Sequence, residues 1–128
     1  MFFKKKKYHF YVVDDVPQMT DFLGSMITSH FDAKVIPVHS APEVLAKLGK
    51  EKRLPDLIVS DQAMPDMTGL QLKNEIRDRG FKIPMIFVSG IEGDDVIEDQ
   101  MVMLGKPINA KVLFAQMERM LDKSFVVS

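Results

Sequence analysis

Five side chains that could do phosphate chemistry stand at the ends of short apolar runs. They are, in chain order, Asp14, Asp15, Asp61, Ser89 and Lys106. Three carboxylates packed together repel one another unless a cation lies among them, and oxygen ligands without Cys or His favour Mg²⁺. A hydroxyl and an ammonium beside that metal would complete a cage for a phosphoryl group. A carboxylate can accept such a group covalently, as an acyl phosphate, and Asp61 is the candidate.

Five runs of the sequence predict the strands that must position these side chains. The runs are apolar or β-branched without alternation of polar and apolar residues, which is typical of strands covered on both faces. Pro37 lies within the second run and suits only an edge strand. The predicted strands are 8–13, 34–38, 57–60, 85–89 and 101–104.

Helical periodicity fills the intervals between these runs. An amphipathic helix is predicted over 17–30, because its apolar residues recur at the i, i+3, i+4, i+7 and i+8 spacing of one helix face. The residues on that face are Met19, Phe22, Leu23, Met26 and Ile27. Further helices are predicted over 42–49 and 69–79, ended by Gly49 and Gly80, and over 109–125.

Alternation of strands and helices predicts an α/β fold: a flavodoxin-like, doubly wound, five-stranded parallel sheet of order 2-1-3-4-5 with helices on both faces. The polar residues at the strand ends would then meet in one cleft, where parallel sheets place their functional sites. An Asp-Asp pair or a Lys-Pro alone is an ordinary turn, cap or loop. Their joint occurrence, each at the end of a different strand and in the right chain order, favours a site.

Composition restricts the classes of function. The chain has 128 residues, of which 46% are hydrophobic and 27% charged, and this predicts one globular domain. It has no cysteine, so thiolate sites are excluded, and a cytoplasmic location is expected. The net charge of −1 argues against nucleic-acid binding, and the lysines at 4–7 are interpreted as a solvated terminal extension rather than a tether. No segment has the length of a membrane span.

Four motifs carry a resemblance to a known family. They are VVDD at 12–15, LIVSDQAMPDMTGLQL at 57–72, VSG at 88–90 and KPI at 106–108. With them the chain resembles the receiver domain of two-component response regulators, the CheY-like superfamily. The resemblance covers nearly the whole chain and implies a single receiver domain over 1–128, with a core of about 8–125 and a basic extension at 1–7.

The resemblance also implies a role for each site residue. Asp61 would be the phosphoacceptor. The metal ligands for Mg²⁺ would be Asp14, Asp15, Asp61 and the backbone carbonyl of Ala63. Ser89 would be the switch hydroxyl, and Lys106 would pair with the phosphoryl group. The peptide bond before Pro107 is expected to be cis, which proline makes accessible.

Two departures from the family pattern fall near the end of the chain. Only 17 positions separate Ser89 from Lys106, so the family's fourth helix would be short or irregular and confined to 92–100, a stretch with five acidic residues. Met103 occupies the position where the family commonly has an aromatic residue that responds to phosphorylation. Both departures lie on the usual output surface, and we therefore expect an unusual output. Ala63 and Ile91 would flank the phosphoryl group, and their apolar side chains predict slow self-dephosphorylation.

The expected function is that of a phosphorylatable signalling module rather than an enzyme. Its partners would be a histidine kinase or histidine phosphotransfer protein and a downstream effector, with a homodimer as a further possible assembly. The alternative is a non-phosphorylated interaction or dimerisation domain with the same fold. A flavodoxin-like cofactor binder fits less well, because the acidic loops would repel a phosphate in the absence of a metal. An enzyme acting on a small phosphate substrate fits least.

Overall fold

Strands and helices alternate along the part of the chain that the structure, a computed structural model, describes: residues 7–90, 95–98 and 100–122. The strands are β1 (Tyr8–Val13), β2 (Ala33–Val38), β3 (Leu57–Asp61), β4 (Met85–Ser89), β5 (Val96–Ile97) and β6 (Met101–Gly105). The helices are α1 (Pro17–Thr28), α2 (Ala41–Lys50), α3 (Gly69–Asp78) and α4 (Ala110–Asp122). Among the residues described, no helix combines the length and apolar character that a membrane span requires.

The strands form one sheet of order β2-β1-β3-β4-β6-β5. All neighbours are parallel except β5, which runs antiparallel to β6 at the edge. The predicted order 2-1-3-4-5 and the flavodoxin-like class are therefore confirmed, with β6 as the predicted fifth strand. The structure adds a sixth, two-residue strand that the sequence did not predict.

Two hydrophobic clusters cover the two faces of this sheet. Alternate residues of each central strand point to opposite faces, so Phe10 and Val12 join one cluster whereas Tyr11 and Val13 join the other. Helices α1 and α4 cover the first face, and α2 and α3 cover the second. Burial on both sides explains why the strands are continuously apolar.

The prediction of a helix within 92–100 is wrong for residues 95–98. Residues 91–94 and 99 lie outside the described part of the chain. Val96 and Ile97 are consecutive β-branched residues, which favour extended backbone, and they pair with β6. The backbone N–H of Glu98 donates to the Met101 carbonyl at 2.8 Å and closes a tight hairpin. Arg119 of α4 donates to the Glu98 carbonyl at 2.9 Å, so the hairpin is held by the last helix as well.

Two glycines predicted to end helices have different outcomes. Gly80 has a φ of 90°, which confirms its place just beyond α3, because glycine adopts that conformation without steric cost. Gly49, in contrast, lies inside α2, which continues to Lys50 and donates from the N–H of Glu51 to the Lys47 carbonyl at 2.8 Å. The prediction that Gly49 stops α2 is therefore wrong.

The inward face of α1 differs slightly from the predicted one. Leu23 and Ile27 are buried as expected, but Phe22 is 55% exposed. Thr20 takes an inward position instead: it is buried, and its hydroxyl donates to the Pro17 carbonyl at 2.8 Å. The helix is thus rotated by part of a turn relative to the face that periodicity alone indicates.

Candidate functional site

The end of β1 fixes the first carboxylate of the site. Asp14 is buried, and its backbone N–H donates to the Val38 carbonyl at 3.1 Å, which extends the β1–β2 pairing by one residue. Its Oδ1 accepts a hydrogen bond of 2.9 Å from the N–H of Val16, just before α1 begins. Asp15, between them, is exposed. The strand and the first turn of α1 therefore hold Asp14 in one position.

Asp61 is the last residue of β3, the strand at the centre of the site. Its side chain is almost completely buried, with 9% of the residue exposed, and it pairs in register with Val88 of β4. The next residue, Gln62, continues the pairing by donating to the Val88 carbonyl at 3.0 Å. An apolar strand therefore ends in a carboxylate because the strand aims that group rigidly at the edge of the sheet.

Lys106 and Ser89 come from the two strands beyond β3. The ammonium Nζ of Lys106 lies 3.4 Å from Oδ1 of Asp61, and the backbone N–H of Lys106 donates to the Ser89 carbonyl at 2.8 Å. Ser89 is a buried residue at the end of β4 and pairs in register with Gly105. The peptide bond between Lys106 and Pro107 is cis, as predicted.

The three acidic residues form one cluster. Asp14, Asp15 and Asp61 each offer a carboxylate oxygen, and these oxygens all lie within 4.8 Å of one another. Burial raises the pKa of Asp14, and the charges of Asp61 and Asp15 raise it further, against the opposing effects of the Val16 N–H and the Lys106 ammonium. Three close oxygen donors with unfavourable mutual repulsion fit a hard divalent cation such as Mg²⁺.

The loop after Asp61 is folded back on its own strand. The N–H of Gly69 donates to the Gln62 carbonyl at 2.9 Å, and Oε1 of Gln62 accepts from the N–H of Leu70 at 3.1 Å. A Cβ atom on Gly69 would lie 2.5 Å from Cδ1 of Phe87, so only glycine fits there. Sequence analysis did not assign a role to Gln62, whose polar side chain in a loop gives no signal of this contact.

The structure brings Asp14, Asp15, Asp61 and Lys106 together and places Ser89 on the adjacent strand end. The N–H of Ala63 donates to Oδ1 of Asp61 at 3.4 Å, so this residue also lies at the cluster. Ile91, the other predicted flanking residue, lies outside the described residues. Met103 is half-buried and packs against the hydrophobic cluster on the face of the sheet that α2 and α3 cover.

A contact that sequence analysis missed joins the β5 hairpin to this site. Oδ1 of Asp95 accepts a hydrogen bond of 3.0 Å from the N–H of Gly105. Gly105 directly precedes Lys106, whose ammonium contacts Asp61. The hairpin that replaces the expected helix is therefore attached one residue away from a site residue.

Comparisons with known proteins agree with this fold. The chain is 32% identical over 124 residues to the transcriptional regulatory protein GlrR of Escherichia coli (strain K12), which covers 93% of this chain but only 27% of that protein. Among solved structures, the signal receiver domain of a histidine kinase from Syntrophus aciditrophicus has a TM-score of 0.79 at 22% identity and covers 94% of this chain and 95% of that one. The Francisella response regulator 1452 receiver domain has a TM-score of 0.78 at 18% identity and covers 92% and 99%.

A match to a family model assigns the chain to a family. The model of the response regulator receiver domain matches residues 10–118, a segment that runs from β1 into α4 and contains all five predicted site residues. These are Asp14, Asp15, Asp61, Ser89 and Lys106. Receiver domains of this family act in two-component signalling. The chain belongs to the response regulator receiver domain family.

Proposed function

We propose that Asp61 accepts a phosphoryl group and that Mg²⁺ is held beside it by Asp14, Asp15, Asp61 and the backbone carbonyl of Ala63. The observation that carries this proposal is the cluster itself: three carboxylate oxygens within 4.8 Å of one another and an ammonium 3.4 Å from Asp61. When bound, Mg²⁺ neutralises negative charge on the carboxylates and on the incoming phosphate.

The residues of the chain supply the remaining chemistry. A carboxylate oxygen of Asp61 attacks phosphorus and forms an acyl phosphate, while the bond from phosphorus to the donor breaks and the leaving group keeps its electron pair. Lys106, already beside Asp61, neutralises charge on the transferred group. The hydroxyl of Ser89 moves toward the phosphoryl group once this group is bound to Asp61, and donates a hydrogen bond to it. Burial of Asp61 and Ser89 limits the access of competing water.

The donor is proposed to be a phosphohistidine on a histidine kinase or a histidine phosphotransfer protein, and the recipient of the signal is a downstream protein or effector domain. Receiver domains interact with proteins of these classes, and one relative is named as the sensor kinase CckA of Brucella abortus. The chain spans about a quarter of the length of the first curated relatives it matches, so their outputs do not transfer to it.

We infer a single receiver domain over 1–128 with a basic extension at 1–7, and a cytoplasmic location. We also infer a signalling domain that catalyses only its own phosphorylation and dephosphorylation. The alternative is an interaction or dimerisation domain that is never phosphorylated, and the observation in its favour is that β5 lies within the stretch predicted to form the fourth helix.

Intact mass after incubation with acetyl phosphate separates the two functions. We expect one added phosphoryl group in the presence of Mg²⁺ and none without Mg²⁺ or in Asp61→Asn. Absence of any adduct in the wild type, together with no detectable Mg²⁺ binding by calorimetry, would contradict the phosphoacceptor and support the interaction domain. Circular dichroism of Asp61→Asn serves as the control for folding.

A further inference from the structure

A cavity of about 420 Å³ lies on the α2 side of the sheet, away from the acidic cluster. Its walls come from the early part of β1, the edge strand β2 and the last turns of α2. Cavities of roughly 300 to 1,000 Å³ are the usual size for small-molecule sites. On the β2 side the apolar side chain that faces this cavity is that of Ile36, whereas Val35 packs against the hydrophobic cluster on the opposite face of the sheet.

The other wall is electropositive, although the whole chain carries a net charge of −1. Lys34, Lys47 and Arg53 line the cavity, and Glu51 is the single acidic residue among the lining residues that are described. Arg53 also pairs with Asp56, with 3.0 Å between Nη2 and Oδ2, so its cation is held in place at the rim. Such a wall attracts anions.

The positive charges around the cavity affect the pKa of the His9 imidazole. Burial lowers the pKa of His9, and the charges of Arg53, Lys34 and Lys7 lower it further, with Asp56 as the opposing charge. His9 lies on β1 in register with Lys34 of β2, and both line the cavity. An anion bound here would therefore raise the pKa of His9 and make the ring a sensor of occupancy.

Tyr11 provides the independent observation that points to a ligand. Its side chain is fully buried and lines the cavity, yet its hydroxyl has no hydrogen-bond partner within the described ranges 7–90, 95–98 and 100–122. A buried hydroxyl without a partner is costly. Burial and the charge of Glu51 raise the pKa of Tyr11, so the hydroxyl remains a neutral donor. An anionic oxygen that enters between the cations would accept its hydrogen bond.

We propose that this cavity binds a small organic anion, a carboxylate or phosphate carried on an apolar body. The anionic group lies among Lys34, Lys47 and Arg53 and accepts a hydrogen bond from the Tyr11 hydroxyl. The apolar body packs against the side chain of Ile36. This site is separate from Asp61, and it does not depend on phosphorylation there.

The first test is a nuclear magnetic resonance titration of the wild-type chain in metal-free buffer, which keeps anions from binding through Mg²⁺ at the acidic cluster. The probes are benzoate and phenyl phosphate, with acetate and inorganic phosphate as comparators that lack the apolar body. We expect saturable shifts of the His9 ring and of the Tyr11 and Lys47 amides, a higher His9 pKa, and weaker binding of both comparators. Saturation by only one of the two probes identifies the anionic group.

Two variants then assign the binding to this cavity. Tyr11→Phe removes one oxygen atom and should weaken probe binding about tenfold, as expected for loss of a hydrogen bond to a charged group. Lys47→Gln should weaken binding to a similar degree, whereas Lys50→Gln, on the same helix but outside the cavity lining, should bind like the wild type. Tyr11→Phe should fold, because it removes only the unpaired group.

Two results would overturn the proposal. One is the absence of saturable shifts with either probe up to about 10 mM, beyond the millimolar range of weak specific sites. The other is equal probe binding by wild type, Tyr11→Phe and Lys47→Gln. Either result would assign the Tyr11 hydroxyl to a buried water molecule instead.

Discussion

The carboxylate of Asp95 accepts a hydrogen bond of 3.0 Å from the backbone N–H of Gly105, and this bond joins the β5 hairpin to the strand that carries Lys106. Asp95 itself is exposed. The bond therefore connects an exposed residue to the backbone directly before Lys106, whose ammonium contacts Asp61.

Removal of this bond should loosen the end of β6. Asp95→Ala is expected to speed amide hydrogen exchange at Gly105 and to lower the free energy of unfolding by about 1 kcal/mol, the net value of one such hydrogen bond. Glu98→Ala is the matched control, because it also removes one acidic side chain from the hairpin. The contact of Glu98 with Arg119 should survive, since it is made by the backbone carbonyl of Glu98. Equal exchange at Gly105 in both variants would contradict the coupling.

Ionisation of Asp14 should make stability depend on pH. Its pKa is raised in the folded state, chiefly by burial, so the folded chain binds this proton more tightly than the unfolded chain and loses stability as pH rises through the folded pKa. Asp14→Asn should therefore be more stable than the wild type at pH 7 in metal-free buffer, by about 1 kcal/mol. The difference should disappear below the unfolded carboxyl pKa of about 3.9.

Urea denaturation between pH 3 and pH 8 tests this expectation, with Asp15→Asn as the exposed neighbouring control. Addition of Mg²⁺ should stabilise the wild type more than Asp14→Asn, because ligand binding to the folded state adds to its stability. A constant difference between wild type and Asp14→Asn across the whole pH range would contradict the assignment of the proton to Asp14.

Substitution of Gly69 should be costly, because its neighbours leave no room for a side chain. In Gly69→Ala the new Cβ atom would lie 2.5 Å from Phe87 and 2.7 Å from Oε1 of Gln62, and overpacking of this kind costs about 1–3 kcal/mol. Gly49→Ala is the contrasting variant: the added atom meets nothing within 4 Å and lies in α2. It should stabilise the chain by about 0.5–1 kcal/mol, and thermal unfolding compares the two.

An acidic or amide side chain at position 63 should shorten the lifetime of the phosphorylated state. Ala63 is exposed and lies against Oδ1 of Asp61, and its methyl group cannot orient an attacking water molecule. Ala63→Glu and Ala63→Gln are expected to raise the rate of dephosphorylation about tenfold by positioning water. Decay of the phosphoprotein, followed by intact mass, gives the rate. Ala46→Gln on α2 is the control, and rates equal to it would contradict the expectation.

The output surface is expected to respond differently from that of a receiver with a regular fourth helix. Residues 96–97 form a strand on the edge of the sheet, and Met103 replaces the usual aromatic residue. Hydrogen exchange with and without a phosphoryl mimic such as beryllofluoride should show changes outside residues 92–125 as well as within them. Large changes confined to 92–125 would show that the output follows the usual surface after all.

The sequence predicted the elements whose signals are local and strong. Strands β1 and β4 have the predicted bounds, because apolar runs closed by polar residues define both ends. The acidic cluster and the position of Lys106 followed from the ends of β1, β3 and β6, since parallel topology places these ends at one edge of the sheet. Met117 and Met120, which belong to the last predicted helix, are buried in the core.

The missed features depend on tertiary contacts. Val96 and Ile97 pair antiparallel with β6, a partner that local propensity did not reveal. Phe22 shares the predicted apolar spacing of α1, yet periodicity gives the period of a helix and not its rotation against the sheet. The cavity at Tyr11 arises from β1, β2 and α2 together, so no single stretch of sequence contains its signal.

Both rims of the sheet are built against association with other sheets. On one side β5 is only two residues long and is flanked by the acidic residues Asp95 and Glu98, so a second copy laid against it would meet like charges. On the other side β2 presents Lys34 and the exposed Pro37, which has no N–H to donate. Short, charged or proline-containing edges are the devices by which proteins prevent open-ended strand pairing. Val96 and Ile97 can therefore be exposed without turning the outermost strand into a template for polymerisation.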